Sequence, residues 1–279
     1  MNSQVTPAKV FKSTHSDVVH TDLLAVEEPL QIMLGFGTLD DRQLLELVVT
    51  MRTPGNDLEL AAGFLLGEGV ITSPEEIIHI DHCGKENDNE ADENVVRVEL
   101  DPTVSVDPQQ WKRHFTSNTS CGVCGKSSME QVLKISKVID SDLVISQSLI
   151  LRLPGQISSY QVAFNNTGGM HAAGLYDEEG RLVFCREDIG RHNAVDKVVG
   201  AAFFKGNYPL KSSILLLSGR VGFELVQKAI MASVPIIAAI GAPSSLAVQL
   251  AKNAGVTMLG FLRDGGFNIY CGQHRIELK

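Results

Sequence analysis

The sequence predicts an α/β protein (α+β overall), with a smaller N-terminal lobe followed by a C-terminal α/β sheet. Three observations carry this prediction. Between residues 212 and 271, short apolar runs alternate with amphipathic helical segments, the pattern of a partly parallel sheet covered on both faces. Upstream, NVVRVEL (94–100) alternates apolar and polar residues like a half-buried strand. Between these regions lies TSNTSCGVCGKSS (116–128), almost entirely small, polar or cysteine residues from which no regular element packs well. The chain is expected to divide there, into residues 1–116, a mobile cysteine loop at 117–128, and residues 129–279.

The elements follow in order. Residues 1–20 read as a frayed tail entering a strand, and QLLELVVT (43–50) is an apolar run compatible with strand or helix. MRTPGN supplies a turn punctuated by Pro54 and Gly55, and Asn56 or Asp57 can cap what comes next. DLELAAGFLLGEGVI (57–71) has helical apolar spacing. Asp57 and Glu59 stand in its first turn, where the helix dipole favours acids, and read as structural. SPEEII (73–78) opens a short helix with Ser73 as cap and Pro74 at its first position. GKENDNEADEN (84–94) is polar and acidic, an exposed hairpin loop.

In the second unit, VAFNNTG leads through a Gly-Gly turn to MHAAGLYD, and RLVFC (181–185) is a strand. REDIGRHNAVDKVVGAAFF (186–204) is mainly helix, on which Asp188, His192 and Asp196 would share one face. SSILLLSG (212–219) and PIIAAIG (235–241) are buried strands, separated by the helix FELVQKAIMAS (223–233). SSLAVQLAKNAG (244–255) is a helix capped by Ser244 or Ser245 and stopped by Gly255. VTMLGFLR (256–263) and FNIYC (267–271) close the chain as strands.

Composition removes several classes. Of the 279 residues 44% are hydrophobic, too many for a disordered chain. The longest apolar stretch, near 229–242, is broken by Ser233 and Pro235 and falls short of the ~20 residues of a membrane span. The first residues lack the basic-then-apolar order of a signal peptide, so a cytoplasmic location is expected. In a reducing compartment, an odd set of five cysteines reads as free or metal-bound thiols. Thirty-three acidic against 24 basic residues give a net charge of −9. That argues against a nucleic-acid platform or an anionic-membrane surface, but leaves room for a local basic pocket.

Cys121-Gly122-Val123-Cys124 is the arrangement that suggests chemistry by itself. Such a pair can share a metal, form a reversible disulfide, or stabilise one thiolate. A closed zinc site needs four ligands, and His79, His82 and Cys83 (HIDHC) offer partners in no standard spacing. A zinc deaminase needs H-x-E followed by P-C-x-x-C. Here His171-Ala172-Ala173 lacks the glutamate and follows the cysteines, and Ser120 stands in place of the proline. A thioredoxin-type dithiol sits at a helix N-terminus, whereas TSNTS and the glycines suit an arm better. A third reading is a sulfur carrier: Cys121 attacks a donor's sulfane sulfur, forming a persulfide whose terminal sulfur passes to an acceptor. Cys83, Cys185 and Cys271 read as packing thiols, and Trp111 and His114 as anchors of the loop.

Six ordered stretches carry a family resemblance: RTPGNDLELAAGFLLGEGVI (52–71), SNTSCGVCGKSS (117–128), CREDIGRHNAVDKVVG (185–200), LLLSGRVGFELVQKA (215–229), APSSLAVQLA (242–251) and GFLRDGGFNIY (260–270). In them the chain resembles the FdhD family of formate dehydrogenase accessory sulfurtransferases. The resemblance implies a homodimer with a cytidine-deaminase-like C-terminal fold that lacks deaminase chemistry. It implies that sulfur is accepted from a cysteine desulfurase and delivered to the Mo-bis(molybdopterin guanine dinucleotide) cofactor, or its tungsten counterpart, for formate dehydrogenase. Cys121 would carry the persulfide with Cys124 as its partner. Phe261, Leu262, Arg263, Asp264, Gly265 and Gly266 would bind the cofactor, with GDP as its mimic. Two alternatives are a cofactor-binding chaperone without sulfur transfer and a zinc-dependent hydrolase of deaminase type.

Other residues fit the same reading. Ser218, Gly219 and Arg220 close one apolar strand, where backbone N–H groups and an arginine can receive an anion. Gly241–Ser245 forms the equivalent turn after the next strand, and Arg263 with Asp264 ends the third. Asp264 is the candidate acceptor for the guanine N1–H and amino group. Arg191 and His192, at another strand-to-helix junction, could hold phosphates or position the pterin. Three successive strand ends would then form one rim where Arg191, Arg220 and Arg263 gather.

Overall fold

A computed structural model of the chain describes residues 4–84, 91–109 and 137–278. The expected division at 117–128 lies outside the described residues. From residue 5 on the chain is not a frayed tail: β1 (Val5–Lys12) and β2 (His15–Ala25) pair as an antiparallel ribbon. Next come β3 (Glu28–Thr38), β4 (Asp41–Arg52), β5 (Ile77–Gly84) and β6 (Ala91–Leu100). They form a four-stranded sheet in the order β4-β3-β6-β5, with β3 and β6 parallel.

Period-two burial settles the ambiguous run in β4. Leu45 and Leu47 point into the core, whereas Leu44 and Val49 are exposed, an alternation only a strand produces. Helix α1 (Asp57–Glu68) ends at Gly69, whose left-handed backbone turns its N–H to the Leu65 and Leu66 carbonyls. SPEEII yields a single 3-10 turn (Pro74–Glu76), because β-branched Ile77 and Ile78 already belong to β5.

The rest of the chain supplies β7 (Ile145–Ser146), α2 (Gln147–Ile150), α3 (Leu153–Ser158), α4 (Val162–Thr167), β8 (His171–Tyr176) and β9 (Leu182–Asp188). There follow α5 (Arg191–Phe204), β10 (Ile214–Leu217), α6 (Phe223–Met231), β11 (Ile236–Ala239), α7 (Ser245–Asn253), β12 (Thr257–Arg263), β13 (Gly266–Cys271) and β14 (Ile276–Glu277). A six-stranded sheet has the order β13-β12-β11-β10-β8-β9. Its centre, β10 to β12, is parallel as the apolar runs predict. β8 runs antiparallel to β10, and β9 antiparallel to β8. The carboxyl ends of β9, β10, β11 and β12 and the amino end of β8 therefore meet along one edge.

Both sheet faces are covered. Leu215, Leu217, Ile237, Ala239 and Met258 join one apolar core with α5, α6, α7, α1 and the four-stranded sheet. Ile214, Leu216, Ile236, Ala238, Leu259 and Leu262 pack on the other side with Leu153 and Ile157 of α3. The first core runs without a break from Leu30 and Leu34 of the N-terminal sheet to Val195 and Val198 of α5. Where α1 crosses α5, a Cβ on Gly63 would overlap the Asp196 carbonyl oxygen, and one on Gly200 would overlap that of Glu59.

One helical expectation is corrected. Asp188 does not share a helix face with His192 and Asp196; it ends β9, paired with His171, and the helix starts at Arg191. Its carboxylate accepts the N–H of Gly190 and Nδ2 of Asn193, which turns the chain before the helix begins.

Candidate functional site

The strand-end edge is built from the backbone up. Beyond β10, the Ser218 N–H donates to the Ala172 carbonyl, and Ser218 Oγ accepts the Ala172 N–H at 2.9 Å, which ties this turn to β8. The Gly241 N–H donates to the Gly219 carbonyl at 3.1 Å. A Cβ on Gly241 would come within 2.8 Å of that carbonyl, so only glycine lets the two turns stack backbone on backbone. The Gly241 carbonyl in turn accepts the Phe261 N–H at 3.0 Å. Phe261 has φ 55, a left-handed conformation uncommon for a bulky residue, and the residue is 42% exposed. Val221 and Ser244 add further backbone links between the turns that follow β10 and β11.

The predicted residues are thus largely brought together. Ser218, Gly219, Arg220, Phe261, Arg263, Asp264, Gly265 and Gly266 lie along one rim, with Arg220, Arg263 and Asp264 exposed. Leu262 is the exception: its side chain is fully buried in the second core, so only its backbone can face a ligand. Ser244 is an ordinary cap, its Oγ accepting the Ala247 N–H.

The other end of the rim holds Arg191 and His192. Half-buried His171 starts β8 beneath Gly219, where an added Cβ would come 3.3 Å from the ring Nδ1. Burial lowers the His171 pKa below its ordinary 6.5, and the charges of Arg191 and His192 lower it further, against the pull of Asp188. The unfolded chain therefore takes up this proton before the folded chain does. Its contribution is complete above about pH 6.5 and shrinks as pH falls toward the folded pKa. Unfolding midpoints measured from about pH 7 down to 5 should fall less steeply in His171→Gln than in the wild type.

His192 Nε2 lies 2.7 Å from Glu224 Oε2, in the first turn of α6. One turn deeper, Asp196 of α5 pairs with Lys228 of α6 at 2.8 Å. The sequence reading missed this cross-helix ladder, and also missed a clamp from the N-terminal sheet. Thr53, just after β4, donates its N–H to Asp188 Oδ2 and accepts the Ile189 N–H at Oγ1. Lys197 Nζ donates to the Thr53 carbonyl at 2.8 Å and pairs with Asp188 at 2.7 Å. Asn193 Nδ2 reaches the Met51 carbonyl. The turn that presents Arg191 is therefore held by residues 51–53. Their only sequence signal is a polar TPGN turn beside an apolar strand.

Other candidates stand apart. Cys121, Cys124, Trp111 and His114 lie outside the described residues. His79, His82 and Cys83 lie on β5, in the other sheet. Among the described residues, no group of three or more His, Cys, Asp or Glu is placed to hold a metal ion. Burial, with the Glu187 charge, pushes the Cys185 thiol up to about 11. Cys271 is also raised by burial, and its Sγ donates to the Val256 carbonyl. Neither is a ready thiolate. Among the described residues no helix is long and apolar enough to cross a membrane.

Fold and site together define a class: mixed α/β proteins that present backbone turns and arginines along the carboxyl edge of a largely parallel sheet. The FdhD/NarQ family model matches residues 25–277, and the chain belongs to that family. It is 45% identical over 262 residues to the sulfur carrier protein FdhD of Streptomyces avermitilis, covering 92% of this chain and 90% of that one. Against the protein of the same name from Mycobacterium tuberculosis it is 43% identical, covering 93% of both chains. Against that of Sulfolobus acidocaldarius it is 41% identical, covering 92% of both. A crystal structure from Desulfotalea psychrophila, assigned as a formate dehydrogenase accessory protein, superposes with a TM-score of 0.73 at 24% identity over 98% of each chain. This last likeness bears on the fold.

Proposed function

We propose that this protein is a cytoplasmic sulfur carrier. On this reading it takes persulfide sulfur from a cysteine desulfurase and delivers it to the molybdenum or tungsten bis-guanine-dinucleotide cofactor used by formate dehydrogenase. The observation that carries the reading is its identity to proteins named as sulfur carriers, above 40% across nine-tenths or more of both chains. The rim supports the cofactor half of the proposal. Arg191, Arg220 and Arg263 can meet diphosphates, and the stitched turns after β10, β11 and β12 give a long polar ledge on an otherwise acidic chain.

In the loading step the Cys121 thiolate attacks the sulfane sulfur of the donor persulfide. A new S–S bond forms on Cys121 as the donor's S–S bond breaks, and the donor cysteine leaves as a thiolate that takes up the proton. Cys124 stands beside it in sequence as its partner. Metal-bound water chemistry is not needed for this step.

Incubation with a cysteine desulfurase and free cysteine, followed by mass spectrometry of the peptide containing residues 117–128, tests the proposal. The wild type should gain one sulfur on Cys121, and Cys121→Ala should gain none. A Cys121→Ala protein that still gains sulfane sulfur in that peptide would overturn the assignment.

A further inference from the structure

Glu224 is a carboxylate in the first turn of the helix that follows the Ser218–Arg220 turn, facing His192 and the charge of Arg191. Gly222 begins α6 soon after the Ser218–Arg220 turn, which puts Glu224 in the first helical turn beside that ledge. His192 lies 2.7 Å from Oε2, and the Glu224 side chain is 16% exposed, so the group is held in place yet open to the solvent side. The neighbouring His192 keeps the carboxyl below its ordinary range against the effect of burial, with Arg191 and Lys228 adding to the pull. An ionised carboxylate offers about four lone-pair sites, of which His192 faces one.

Such a group repels phosphate, so only hydrogen-bond donors of a ligand can settle against it. In a guanosine dinucleotide the donors that match a carboxylate are N1–H and the N2 amino group, two N–H bonds pointing the same way. The sequence points instead to Asp264, which stands exposed in the turn between Arg263 and Gly266. An acceptor already held by a neighbour loses less side-chain freedom on binding than one on an open turn. Resting on the guanine-dinucleotide reading of the rim, we infer that Glu224 reads the guanine base through its N1–H and N2 amino group and determines the base specificity of the site.

Calorimetric titration of the full chain with GDP, IDP and ADP tests the inference. Inosine keeps N1–H and lacks the amino group; adenine lacks both donors. The wild type should bind GDP about tenfold more tightly than IDP, and ADP more weakly still. Glu224→Gln should bring GDP down to the IDP level while the ADP affinity stays within about twofold. Equal affinities of the wild type for GDP and IDP would overturn the inference without recourse to any variant. So would a wild-type GDP-to-IDP ratio in Glu224→Gln, or loss of that ratio in Asp264→Asn alone. A wild type that binds none of the three nucleotides overturns the guanine-dinucleotide reading itself, and the inference with it.

Discussion

Lys197→Met is expected to cost about 3–5 kcal/mol of folding stability, and Asp188→Leu more than that. Both side chains are fully buried and lie 2.7 Å apart. Removing the lysine leaves a buried carboxylate, but one that still accepts the N–H groups of Thr53 and Gly190 and Nδ2 of Asn193. Removing the aspartate leaves a buried ammonium whose remaining partner among the described residues is the Thr53 carbonyl, and also strands the N–H groups of Thr53 and Gly190 at about 1–3 kcal/mol each, whereas Asn193 Nδ2 keeps the Met51 carbonyl. The order of the two variants is therefore the sharper part of the prediction. Denaturant unfolding of each measures it, and a Lys197→Met chain less stable than Asp188→Leu would show that the carboxylate is not the hub of the clamp. A loss below about 1 kcal/mol in both would place the pair in wet surroundings.

Gly200→Ala and Gly63→Ala are each expected to destabilise by about 1–3 kcal/mol. On an exposed helix the same change would stabilise by about 1 kcal/mol. The sign reverses because each added methyl meets a carbonyl oxygen of the facing helix, Glu59 for residue 200 and Asp196 for residue 63. Backbone cannot swing aside as a side chain can, so α1 and α5 must move apart. Once one substitution has separated them, the second should cost less, and the double variant should fall short of the sum. Thermal or denaturant melts of the two single variants and the double test this. Strict additivity would mean that the helices relax locally rather than as bodies.

The legible part of the fold was the part with a strong repeat. The continuous apolar runs at 214–217 and 236–239 announced buried parallel strands, and the spacing in 223–233 and 244–255 announced the helices between them. Asp188 was misread because charge spacing alone suggests a helix face. What turns the chain there is a carboxylate that gathers the local donors of Gly190 and Asn193 and one N–H from Thr53, 135 residues away in sequence. Likewise the strand-end arginines could be picked out at chain junctions, whereas Glu224 reads as an unremarkable acid in a first helical turn until His192 is placed against it. Leu262 stands in the GFLRDGG stretch, yet it packs in the same core as Leu259, three residues back, because the register shift between Gly260 and Arg263 and the left-handed Phe261 break the alternation of a regular strand.

By itself the sequence determined the α/β class, the helix and strand succession from residue 212 to residue 271 and the six ordered stretches of family resemblance. These are local properties: periodicity, caps and residue types at fixed spacing. The tertiary structure decided which strand ends share an edge, that β9 runs with the parallel strands, and that residues 51–53 hold the turn before Arg191. It also decided that Glu224 stands against His192. Each of these depends on strand order and direction, which arise when distant apolar faces are buried together and the polar groups carried inward with them must find partners.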